Sequence, residues 1–149
     1  MKKRKICYFL ILFAFCYFFI LLSPSRTIGL NNYIYSYVLV DKLIRNAPFK
    51  EYASSYSYHS FDRFTEGGSG ITYTDIPLSE VDLVKNGLES YLMSSLKVKR
   101  VPSESYEEEG IYRYRSVKNT KKTFVISVYE NKGVKCIFFS EDTEPMLVD

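Results

Sequence analysis

Residues 6–22 read ICYFLILFAFCYFFILL, an unbroken apolar run directly behind the cations Lys2, Lys3, Arg4 and Lys5. A helix on the surface of a soluble core needs a polar face toward water, and this run has none. Crossing a bilayer takes about 17–25 apolar residues at ~1.5 Å of rise each. The run meets the lower bound, and Ser23 or the lysine stems, by snorkelling, extend its reach. A cleavable secretion signal has a shorter apolar core of roughly 7–15 residues, with small residues before the cut. Ser23 and Ser25 supply that alternative, but the density of Phe, Leu and Ile favours a retained signal-anchor. Cys16 follows Phe15 rather than a small residue, which argues against a lipid-modified cysteine.

Charge sets the expected orientation. Cations precede the run, and the next ones are Arg26 and Lys42. The positive-inside rule therefore places residues 1–5 in the cytoplasm as a basic tail and residues 26 onward across the membrane. The expected organisation is a transmembrane signal-anchor at 6–22, a linker at 23–30, an extracytoplasmic domain at 31–140 and an acidic flexible tail at 141–149. The expected location is the cytoplasmic (inner) membrane, with a single pass. A secreted or periplasmic domain follows instead if the chain is cut near Ser25. The formal charge of +3 belongs to the tail, because the residues beyond 25 hold 16 Lys and Arg against 17 Asp and Glu. A domain of charge −1 lacks the basic surface of a nucleic-acid binder.

Cys7 and Cys16 lie in the apolar run, so Cys136 is alone in the domain and no internal disulfide is expected there. Its alternation with Val134 and Phe138 reads as a buried strand position. The chain holds 14 Tyr, 11 Phe and no Trp, with a dense group between Tyr33 and Tyr58. Tyrosine suits interfaces, but it equally suits strands and membrane-proximal segments.

The pattern beyond residue 30 predicts an α+β domain. Asn31 and Asn32 offer an N-cap for a helix ending near Asn46, with Tyr33, Tyr37, Val40 and Ile44 at helical spacing. Residues 52–76 read as a hairpin: Tyr56, Tyr58, Phe61 and Phe64 in one strand, 71–76 in the next, and Gly67-Gly68-Ser69-Gly70 as the loop. After Pro77, Ser79 with Asp82 resembles a capping box. Val81, Val84, Leu88, Tyr91, Leu92 and Leu96 then form the stripe of a core helix, with Gly87 read as a place where a strand packs close. Strands are expected at 97–101, 111–117, 123–130 and 134–140, the third of them central because both its faces are apolar. The resulting order, α-β-β-α-β-β-β-β, buries a helix in the concave face of a curved antiparallel sheet. In topology it is similar to cystatin-like and nuclear transport factor 2-like folds, which host binders, inhibitors, assembly subunits and enzymes alike.

Catalytic signals are sparse. His59 is the only histidine, and no His or Cys spacing suits a zinc site. A His59–Cys136 or His59–serine pair with Asp62 as orienter is one hydrolase constellation; carboxylates suffice for a glycosidase-like pair, but the sequence singles out none. Glu107, Glu108 and Glu109 read as a solvated loop rather than a cation site. The glycines at 67–70 are followed by ITYTDI, strand material rather than a phosphate-binding helix. No cofactor, metal or catalytic residue is therefore expected. In 111–117, Arg113 and Arg115 share one strand face and Tyr112 and Tyr114 the other. With Lys99 they form the candidate partner-binding set, beside Lys97, Arg100, Lys118, Lys121 and Lys122. Such a stripe suits an acidic protein, an anionic headgroup or an acidic polymer. The expected function is that of a membrane-anchored, non-catalytic protein-interaction domain of accessory, assembly or inhibitor type. A small-ligand binder and a His59 hydrolase are the alternatives.

Overall fold

Seven strands, six of them beyond residue 50 and most of those rich in β-branched and aromatic residues, build one antiparallel sheet. The computed structural model describes residues 8, 11–17, 25–60 and 67–143. The strands are β1 (Arg26–Gly29), β2 (Ala53–His59), β3 (Gly67–Tyr73), β4 (Val98–Val101), β5 (Ile111–Ser116), β6 (Lys122–Asn131) and β7 (Val134–Thr143). Between them lie the helices α1 (Tyr33–Leu39), α2 (Lys42–Arg45), α3 (Val81–Ser95) and α4 (Glu104–Glu108), with short 3-10 turns at Lys50–Tyr52 and Leu78–Glu80. The spatial order is β1-β2-β3-β7-β6-β5-β4. Two meanders are thus joined edge to edge: α3 carries the chain from the first to the second, and β7 returns to pair with β3.

Register assigns the faces. Ile71, Phe139 and Ile126 lie in one cross-strand row, and Tyr73, Ile137 and Val128 in the next. This face takes α3, whose Val84, Leu88 and Leu92 are buried against it. The expected helix stripe and its core role hold. The expected capping box does not, because α3 starts at Val81 behind a 3-10 turn and has no side-chain cap. Gly87 is small for a different reason than expected: a Cβ there would strike the Phe49 ring rather than a strand.

Strands β4 to β7 match the expected meander, with β6 central and a two-residue turn at Lys132 and Gly133, both at positive φ as a tight hairpin requires. Several boundaries differ for identifiable reasons. The expected linker contains β1, which pairs with β2 from Arg26↔Tyr58 to Gly29↔Ser55. Four residues of RTIG carry too little local pattern to reveal a strand whose stability comes from its neighbour. The expected helix ending near Asn46 is two helices, because Asp41 leaves helical geometry and caps α2 through Leu43 N (2.7 Å). Its buried face is Ser36, Leu39, Val40 and Ile44, while Tyr33 and Tyr37 stand 77% and 73% exposed. Tyr37 lies under the Arg45 guanidinium instead.

Gly67, Gly68 and Gly70 belong to β3 and not to a loop. A Cβ on Gly70 would lie 2.5 Å from the Phe138 ring, and one on Gly68 would meet the Glu141 carbonyl. The glycines let β7 pack against β3. Phe61, Phe64 and Asp62 lie outside the described residues. The expected acidic loop contains α4, and the expected tail is strand through Thr143, with Glu141 in it 5% exposed. Residues 144–149 lie outside the described residues.

Within the apolar run, residues 11–17 are helical and every one is exposed. Among the described residues no helix is long and apolar enough to cross a membrane. Residues 1–7, 9–10 and 18–24, which include the expected basic tail and the rest of the run, lie outside the described residues.

Candidate functional site

Pairing of β4 with β5 places Lys99 directly opposite Arg115, and Val101 opposite Arg113. All four project from the sheet face that does not carry α3, and all are exposed. Tyr112 and Tyr114 turn to the other face, as the alternation requires. Tyr114 is 1% exposed, and its hydroxyl bonds Glu89 of α3; burial first, and then Glu89, push that hydroxyl's pKa up. Tyr112 lies beneath Lys85 and Arg100. The tyrosines thus fasten the sheet to α3, while the three cations face outward. Helix α4 borders this patch: Arg113 stacks on Tyr106 at 4.1 Å, and Arg100 pairs with Glu107 at 3.0 Å. That ion pair accounts for one of the three adjacent glutamates.

Among the described residues the hydrolase constellation is not assembled, and Asp62 lies outside them. His59 sits at one end of the sheet opposite Gly68, a row shared with Asp142 of β7. Cys136 lies six positions back along β7, about 20 Å away at strand rise. It is 2% exposed, and burial pushes its thiol pKa up. Such a thiol is a poor nucleophile. His59 makes no hydrogen bond to a serine or acid among the described residues, so nothing there orients its ring.

A cluster that sequence reasoning missed occupies the same end of the sheet. Glu141 follows Ile137 and Phe139 on the helix-facing side of β7, opposite Phe124 of β6 and Ser69 of β3. Its carboxylate pairs with Lys122, whose ammonium also lies 4.0 Å from Asp41. Asp41 is held from both sides, since its side chain caps α2 and its N–H donates to Ser69 Oγ at 3.0 Å. Burial pushes the Glu141 carboxyl above the usual carboxylate range; the Lys122 bond opposes this and the Asp41 charge adds to it. Two openings flank the cluster. A cleft of about 620 Å³ runs from Asp41 and Glu141 past Ser116 to Lys97 and Lys118. A shallower one of about 400 Å³ lies on the side of Ser69 and His59. The signal for the cluster was present in the alternation: a glutamate continues the inward set of an apolar strand, and such a position needs a cation.

Compared with known proteins, the chain matches no family model, no curated protein and no solved structure. Among the described residues no group of three or more His, Cys, Asp or Glu is arranged to hold a metal. The contact between α3 and the sheet is filled by Val84, Leu88 and Leu92.

Proposed function

We propose that the protein is a single-pass, membrane-anchored interaction domain without catalytic activity, of accessory, assembly or inhibitor type, acting outside the cytoplasmic membrane. The observation that carries this reading is the outward cluster of Lys99, Arg113 and Arg115 on a sheet face that α3 leaves uncovered. Cations fixed on paired strands offer a rigid surface for carboxylates of an acidic partner, and such complementarity sets specificity and association rate. The anchor rests on the apolar run, whose residues 11–17 bury no side chain against the sheet.

Crosslinking of the full chain in native membranes tests this reading. Charge reversal by Arg113→Glu with Arg115→Glu is expected to remove specific adducts that a Lys132→Glu, Lys135→Glu control at the far hairpin retains. Adducts that survive the first pair unchanged would sink the basic-face reading.

A further inference from the structure

The path of the chain gives the two ends of the sheet different surroundings. β1 starts at Arg26, and Ser25 Oγ accepts from Ser60 N at the exit of β2, so the apolar run joins the domain at this end. From residue 22 to Arg26 the chain spans at most about 14 Å. The same end holds the last turn of α3, the start of β4 and the 117–121 connection between β5 and β6. Val117 N donates to the Lys97 carbonyl at 2.8 Å, which ties Lys97 to that connection. Lys97, Lys118 and Lys121 are all exposed there and form no ion pair among the described residues. Lys122, one residue further, is engaged by Glu141.

The opposite end has the reverse sign. It carries Asp75, Glu80 and Asp82 at the entry to α3, and Glu104, Glu107, Glu108 and Glu109 around α4. Lys132 and Lys135 are the cations of its β6–β7 hairpin, and Lys135 is paired with Glu130 at 2.9 Å. Asp62, Arg63, Glu66, Glu144 and Asp149 lie outside the described residues. The end where the apolar run enters thus holds Lys97, Lys118 and Lys121 exposed, while its described carboxylates are engaged, Asp41 and Glu141 by Lys122 and Asp142 by the Ser140 hydroxyl; at the end away from it the described carboxylates predominate.

From this arrangement we infer that the Lys97, Lys118 and Lys121 end docks on anionic phospholipid headgroups of the bilayer that holds the anchor. The inference rests on the membrane reading above and adds the orientation of the domain. A tether at β1 alone lets the domain pivot. The lysines lie toward the other side of the sheet, about 24 Å across from β1 at the spacing of strands. Engaging them gives a second point of attachment that stands the sheet upright on the membrane. The attraction acts within a Debye length of about 8–10 Å, comparable to the reach of the tether. The Lys99, Arg113 and Arg115 face then stands lateral to the membrane, open to a partner, with the acidic end outermost.

The test uses the full chain with Cys7→Ala, Cys16→Ala and Thr120→Cys, the last labelled with a fluorophore, in phosphatidylcholine vesicles with or without phosphatidylglycerol. Flotation reports anchoring, and quenching by headgroup-labelled lipid reports docking. Docking predicts several-fold stronger quenching in the anionic vesicles. That gain should disappear in Lys97→Gln, Lys118→Gln, Lys121→Gln or in high salt, and persist in Lys132→Gln, Lys135→Gln. Flotation with both vesicle types and quenching indifferent to lipid charge would overturn docking while leaving the anchor intact. Flotation with anionic vesicles alone, lost in the triple variant, would support docking and overturn the anchor. Flotation with neither would overturn both.

Discussion

At the scale of single residues, the decisive position is Glu141, a carboxylate in an apolar row held by a half-exposed lysine. Its folded pKa lies above the unfolded value of about 4.3. Between those two values the folded state binds more protons than the unfolded one. This group's contribution to stability therefore rises as pH falls from neutral through the folded pKa, and levels off below the unfolded one. Urea midpoints measured from pH 7 to pH 4.5 are expected to show Glu141→Gln relatively more stable at pH 7, with the advantage shrinking as the pH falls. Lys122→Gln has the opposite sign. It leaves Glu141 buried beside Asp41, at a cost of about 1–3 kcal/mol at pH 7, below the full cost of breaking a buried pair because Lys122 is partly solvated. The deficit should diminish toward pH 5. A Lys122→Gln penalty independent of pH would mean that the lysine acts through packing alone.

At the scale of elements, the seam between β3 and β7 joins the two meanders, and it depends on residues without side chains. Gly70→Ala brings a methyl group onto the Phe138 ring and is expected to cost about 1–3 kcal/mol. Pairing it with Phe138→Leu should recover part of that loss, a coupling that denaturation of the four proteins in a double-mutant cycle measures. Additive effects would show that the ring does not limit the seam. Gly87 reverses a familiar expectation in the same way. Replacing a mid-helix glycine by alanine ordinarily gains about 1 kcal/mol, but here the Phe49 ring occupies the space of the new methyl. Thermal unfolding of Gly87→Ala should show no gain, and Phe49→Leu with Gly87→Ala should restore it. These glycines also mark what could be read in the sequence. The α3 stripe and the strands from 98 onward were legible because their periodicity repeats over many residues. The 67–70 glycines, β1 and the α1–α2 break were not, because long-range pairing and a single capping aspartate decide them. The arginine–tyrosine alternation of β5 was readable from period two alone. The joining of Asp41, Lys122 and Glu141 across three elements was not.

At the scale of the whole molecule, the core is built without the described residues of the apolar run. It extends from Ile28 to Phe139 and draws on β1 to β7, α1, α2 and α3. None of the described residues at 8 and 11–17 is buried in it. A core that closes without these residues does not require them in order to fold. Residues 26–149 expressed alone are therefore expected to be soluble and to unfold cooperatively. Within that fragment Leu88→Ala, which opens a cavity where α3 meets the sheet, should cost about 2–5 kcal/mol. Leu83→Ala, on the exposed side of the same helix, should fall within about 0.5 kcal/mol of the parent. A fragment that stays unfolded in water would tie the apolar run to the fold itself. A fragment that folds but shows equal costs at Leu83 and Leu88 would mean that α3 packs differently once the run is removed.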